Sequence, residues 1–203
     1  MPKVEPVPAA PPPAPSPPVI PSLSERWTIR TALVVVAIAL AVVVAAFGVV
    51  KLLTGNGTDG LTLKTGVPNA ASASALRSYA SDHGAVYWIG PSNDGTLEVT
   101  RTSRGVYVRY LTGDAEIGDK AARYTTIATY PLRGAYQRMR ASARSGGFGS
   151  AKIAGGGLAA WNKSVATSVY MAYPRRAQLI EVYDPSAQRA RALALSGVVQ
   201  RVR

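Results

Sequence analysis

Apolar residues change their spacing along this chain, and each change marks a segment. Over residues 31–50 they are continuous: TALVVVAIALAVVVAAFGVV holds twenty residues and no charge, closed by Arg30 and Lys51. At about 1.5 Å of helical rise per residue, the run matches the roughly 30 Å hydrocarbon core of a bilayer. A leader peptide carries a shorter apolar stretch nearer the amino terminus, and a helix inside a soluble domain keeps a polar side. The pattern predicts a transmembrane helix within residues 27–53, with the Trp27 indole at headgroup depth. A leader cleaved late, near Ala45 to Gly48, is the competing reading of the same run.

Residues 1–26 read differently. Ten prolines fall within the first 21 residues. Proline fixes its own φ and disfavours the α conformation in the residue before it, so a disordered or polyproline II tail is expected. A flexible spacer beside the membrane is favoured over a dedicated ligand for a proline-reading groove. Residues 54–66 open with TGNGTDG and read as a glycine-rich linker.

From residue 67 to 203, helical and alternating patterns succeed one another. A helix is predicted over about residues 69–81, with Asn69 as N-cap, Ala73, Leu76 and Ala80 at helical spacing, and Gly84 as its stop. The β-branched and aromatic segments AVYWIG, TLEVTR, GVYVRYL and RYTTIATY read as strands, separated by Ser-, Asn- and Gly-rich turns. Pro131 suits the first turn of a second helix running to about Arg144, with Leu132, Ala135, Met139 and Ala143 on its apolar side. AKIAG, LAAWN, SVYMAY and QLIEVY follow as strands, then a third helix from Asp184-Pro185 to Ser196-Gly197 and a last strand, VVQRV. The expected fold class is α+β: one transmembrane helix, then a mainly antiparallel sheet of about seven to nine strands with about three helices covering one face. TYPLRGAYQRMRASARSG and VYDPSAQRARALALSG share a strand-to-helix grammar, which common helix punctuation explains as well as duplication does.

Charge bears on orientation and partners. Lys3, Arg26 and Arg30 precede the apolar run and Lys51 and Lys64 follow it, a slight bias toward the amino-terminal side. Long following domains translocate regardless of charge, so the expected topology in the cell membrane is single-pass, amino terminus cytoplasmic and carboxyl domain extracytoplasmic. Of 23 Lys and Arg, four precede Thr54; of 11 Asp and Glu, two do, leaving nineteen against nine, a net of plus ten. Such an excess attracts polyanions. Besides the bilayer itself, the expected partners are anionic wall polymers, lipid headgroups or another membrane protein, with nucleic acid only if the topology is reversed.

The candidate contact residues are Arg133, Arg140 and Arg144 on the second predicted helix, Arg189 and Arg191 on the third, Arg175 and Arg176 in a turn, and Arg201 and Arg203 at the end. Strand alternation offers a second candidate, a partly open sheet face carrying Tyr107, Arg109, Glu98, Tyr170 and Glu181. Ordinary cross-strand pairing accounts for the same residues.

Chemical motifs are sparse. The chain has no cysteine, which removes thiol catalysis and thiolate metal sites, and one histidine, His83. Asp82 precedes it, but no G-x-S-x-G elbow is present, and a lone histidine in SDHG suits the C-terminal end of a helix dipole. Asp114, Glu116 and Asp119 lack EF-hand spacing. Gly147-Phe148-Gly149 and Gly155-Gly156-Gly157 precede strands, whereas a phosphate loop precedes a helix, so turns or bulges are expected there. No cofactor and no metal site is expected.

VYWIGP, the arginine-bearing strands and the stretch from EVYDPS through SGVVQRV resemble small single-pass envelope proteins of GC-rich Gram-positive bacteria that have no assigned activity. The resemblance runs from about Ala85 onward and implies an envelope protein without implying a mechanism. The expected function is a bitopic membrane protein whose basic domain is a noncatalytic binding or scaffolding module. The alternatives are an envelope hydrolase with Asp82 or His83 as base and an inward-facing nucleic-acid binder.

Overall fold

The computed structural model describes residues 61–92 and 95–203. The proline-rich tail, the apolar run 31–50 and most of the predicted linker lie outside the described residues. Among those described, no helix is long and apolar enough to cross a membrane.

The described chain is an α+β domain. Its elements are β1 (Pro68–Ala71), α1 (Ala73–His83), β2 (Tyr87–Trp88), β3 (Thr96–Arg101), β4 (Val106–Leu111), β5 (Thr126–Pro131), α2 (Ala135–Ser142), β6 (Phe148–Ile153), β7 (Gly157–Asn162), β8 (Ser168–Ala172), β9 (Gln178–Tyr183), α3 (Ala187–Leu195) and β10 (Gln200–Arg201). Eight strands form one antiparallel sheet in the order β1-β3-β4-β5-β9-β8-β7-β6, and β2 pairs with β10 apart from it. Two meanders, β3 to β5 and β6 to β9, meet at the central pair β5–β9, where Thr126 lies opposite Tyr183 and Pro131 opposite Gln178.

Three local expectations shift. Pro68–Ala71 is an edge strand on β3, with Asn69 opposite Val99, and the first helix is capped instead by Ser72, whose hydroxyl accepts from the Ala75 amide at 3.1 Å. Edge pairing suits proline, which has no amide to donate. Pro131 closes β5, and α2 begins only after Gly134, whose φ of 70° turns the chain out of the sheet. The Gly147–Gly149 stretch does not form a turn throughout: Phe148 and Gly149 belong to β6, and a Cβ at Gly149 would stand 2.5 Å from the Trp161 ring. That glycine is required by packing across the strand pair, where an aromatic ring lies flat on the neighbouring backbone.

Both faces of the sheet are covered, where one was expected. On one face, Val99, Leu97 and Val108 join Leu76, Tyr79 and Ala80 of α1, while Ile127, Val169, Met171, Ile180 and Val182 join Ala190 and Ala194 of α3. Helix α2 contacts β7, β8 and β9, and its buried Ala135 and Met139 belong to neither of those clusters. It therefore packs on the opposite face, where Ala128, Ala160, Tyr170, Ala172, Leu179 and Glu181 are all buried. Ala160 and Ala172, on two of the strands that α2 contacts, leave room there for the helix to approach the sheet.

Candidate functional site

An open pocket of about 480 Å³ forms where the β2–β10 pair meets α1 and the β6–β7 and β8–β9 turns. Arg77, Arg176, Arg201 and Arg203 line it together with Tyr87, Trp88, Tyr173, Val199 and Gln200; among the described residues, no aspartate or glutamate does. All four arginines are exposed, and none is ion-paired with a described residue.

Each part of the structure brings one guanidinium. Pairing of β2 with β10 sets Arg201 opposite Tyr87 and Gln200 opposite Trp88, so buried aromatic residues floor the pocket while charge rises from its rim. Helix α1 lays Arg77 over the Trp88 ring at 5.3 Å. The turn between β8 and β9 supplies Arg176, which sits 5.0 Å over the Tyr173 ring and donates from Nη1 to the Tyr87 hydroxyl at 2.7 Å. Pro174 and Arg175 are the central residues of that turn, closed by the Arg176 amide donating to Tyr173 O at 3.3 Å. Arg175 has a φ of 61°, alone among described residues other than glycine in being positive, and the combination with proline defines a type II turn. Stacking on aromatic faces holds a guanidinium in place without neutralising it, and the in-plane donors not already used, as Arg176 Nη1 is by Tyr87, remain for an oxyanion.

The arginines singled out on the two later helices are not brought together. Arg133, Arg140 and Arg144 are exposed around α2, and Arg189 and Arg191 are exposed on α3, on the other face of the sheet. Arg189 pairs with Asp184 at 3.3 Å, and Arg191 lies 5.8 Å from the Trp161 ring. Arg176, Arg201 and Arg203 do converge, joined by Arg77, which no sequence signal marked: it is one polar position on an amphipathic helix, and only the docking of α1 beside β2 gives it a role.

The sheet face carrying Tyr107 and Arg109 is internal. Arg109 donates to Glu98 Oε1 at 2.6 Å and to Ala121 O at 3.1 Å, and Glu98 Oε2 accepts from the Gly118 amide at 2.6 Å; the two side chains are 3 % and 0 % exposed. The loop over residues 112–125 thus covers this half of the face, as α2 covers the other. Glu181 accepts from Tyr130 at 2.6 Å and from Tyr170 at 3.2 Å. Burial, then the neighbouring Glu181 carboxylate, pushes both phenols far above their usual range.

The remaining candidates occupy ordinary positions. The His83 ring is stacked on Tyr79 with centroids 4.3 Å apart, its Nδ1 lies 3.1 Å from Tyr79 O at the end of α1, and Ser81 donates to Asp82 at 2.9 Å. Asp119 accepts from the Tyr124 hydroxyl, the Ala121 amide and Arg123, which together hold its carboxyl below the usual range, Tyr124 contributing most.

No protein family, no curated protein and no solved structure matches the chain.

Proposed function

We propose that this chain is a single-pass envelope protein whose extracytoplasmic domain binds an oxyanion-bearing ligand, without catalysis, in the pocket rimmed by Arg77, Arg176, Arg201 and Arg203. The observation that carries the reading is the convergence of four guanidinium groups, none of them ion-paired with a described residue. Four arginines converge on one pocket, two are preorganised on aromatic rings, and no carboxylate side chain among the described residues lines the wall. Leaving like charges together is unfavourable in the free protein, and an anion relieves that cost on binding. Phosphate and carboxylate groups suit guanidinium forks, which donate two parallel hydrogen bonds to them. The apolar run 31–50 supports the membrane anchor, and the long domain that follows it, of a kind that translocates largely regardless of flanking charge, supports the outward orientation.

The test uses the full chain in neutral-detergent micelles with inorganic polyphosphate as probe. Binding is expected to weaken as salt rises and to be lost in the Arg77→Gln, Arg176→Gln, Arg201→Gln triple variant, while Arg133→Gln, Arg140→Gln, Arg144→Gln leaves it nearly intact. Equal loss from both triple variants would remove the pocket from the account and leave only diffuse charge.

A further inference from the structure

Several features of the pocket's surroundings concern its distance from a bilayer. The register line Arg101–Val106–Thr129–Ile180–Met171–Ala159 shows that β3 ends at the same end of the sheet as the β6–β7 and β8–β9 turns that border the pocket. The first described residues join the domain at that end. Thr65 bridges to Arg101, the Gly66 amide donates to Arg101 O at 2.8 Å, and Leu63 packs with Trp88 and Val202 beneath the β2–β10 pair. Only residues 51–60 separate Leu61 from the apolar run ending at Val50. Ten residues reach at most about 35 Å even when fully extended. The tether therefore keeps the arginine end, more than any other part of the domain, within reach of the bilayer to which the run would anchor it.

The same end carries two partly exposed aliphatic side chains. Helix α3 runs back from the far end of β9, so Leu195 at its close and Val198, next in sequence to the pocket residue Val199, lie toward the pocket's end of the sheet; both are 43 % exposed. Exposed aliphatic residues beside unpaired arginines suit an interface of anionic headgroups over acyl chains, where the cations meet phosphates and the aliphatic groups sink below them.

Resting on the anion-binding reading above, we infer that the ligand of this pocket is the phosphate headgroup of anionic lipid in the protein's own membrane, with Leu195 and Val198 entering the acyl boundary. A soluble polyanion would use the arginines and leave these two side chains in water; a lipid surface uses both.

The absence of cysteine permits single labels. The full chain carrying Val198→Cys, or Leu195→Cys, is labelled with an environment-sensitive fluorophore and reconstituted into vesicles of phosphatidylcholine alone or with phosphatidylglycerol added. Acrylamide quenching is expected to fall severalfold in the anionic vesicles only. It should stay unchanged for a label at Val165→Cys, which is exposed in the β7–β8 turn at the opposite end of the sheet. The Arg77→Gln, Arg176→Gln, Arg201→Gln triple variant should restore quenching. Labels equally quenched in both vesicles, or equally shielded in both, would overturn the lipid assignment. If polyphosphate still binds the same protein in micelles, the anion pocket survives that failure; if it does not, both readings fall together.

Discussion

Arg176 donates to the Tyr87 hydroxyl at 2.7 Å although 89 positions of sequence separate them, and this bond joins the β8–β9 turn to the β2–β10 pair across the pocket. The Tyr87 side chain is itself buried, so its oxygen is a fixed acceptor and Arg176 a guided donor. Tyr87→Phe removes the acceptor and keeps the ring. A hydrogen bond from a charged donor contributes about 1.5–3 kcal/mol net, so polyphosphate affinity is expected to fall about tenfold or more as Arg176 loses its guide. Titration of wild type against the variant checks it, and unchanged affinity would show that the bond does not orient the site.

The Glu98–Arg109 pair is expected to dominate the stability of the β3–β4 half of the sheet. Arg109→Ala leaves a buried carboxylate with one backbone donor, and breaking such a pair costs about 3–5 kcal/mol. Replacing both partners with apolar residues of similar volume is expected to recover most of that loss. Urea midpoints of the wild type and both variants decide the matter: an Arg109→Ala midpoint equal to that of the wild type would mean that the ion pair is incidental.

Alkaline pH should unfold the domain as its buried phenols are forced to ionise. Burial pushes Tyr110 up to about 12, partly opposed by the Ile89 amide that donates to its oxygen; Tyr130 and Tyr170 are raised further, first by burial and then by Glu181. A phenol whose folded pKa lies above its unfolded value favours the folded state below about pH 10. That contribution is lost as pH climbs from there through the folded value, because only the unfolded chain gives up the proton. Phenolate absorbance should therefore rise in two stages, exposed tyrosines first and the buried set together with the loss of circular dichroism. A single smooth titration with the fold intact would contradict the buried placement.

Arg175 occupies left-handed backbone that costs a non-glycine residue about 1–2 kcal/mol. Arg175→Gly is expected to raise stability by about 0.5–1 kcal/mol, the remainder being offset by glycine's larger unfolded-state freedom. Thermal denaturation of the full chain in neutral detergent reads this directly, and a lowered midpoint would mean that the Arg175 side chain makes a stabilising contact.

Sequence pattern made much of the domain legible. Period-two runs located β3, β4, β5, β8 and β9, because each alternates between two buried faces with β-branched and aromatic residues. Gly84 and Gly197 punctuated helices by local geometry alone, whereas the cap of α3 falls two residues beyond the expected Asp184, at Ser186, whose hydroxyl accepts from the Arg189 amide at 3.3 Å. The errors fall where long-range pairing overrides local preference. Pro68–Ala71 has helix-start residues yet pairs as an edge strand because β3 offers an open side. AVYWIG reads as one strand of the main sheet, but only Tyr87–Trp88 pairs, and it does so with Gln200–Arg201.

The sequence by itself determined the α+β class, the basic charge and the amphipathic helices, because propensity, periodicity and composition are local or summed properties. It also supplied Arg176, Arg201 and Arg203 as candidates. Only the tertiary structure decided that Arg109 and Tyr107 are interior, since burial depends on the 112–125 loop and α2 closing over a face that alternation leaves ambiguous. It alone separated the α2 arginines from those of α3 by a sheet, and brought Arg77 to a pocket with residues up to 126 positions away. Convergence of that kind is a property of how elements pack, and no spacing within one element encodes it.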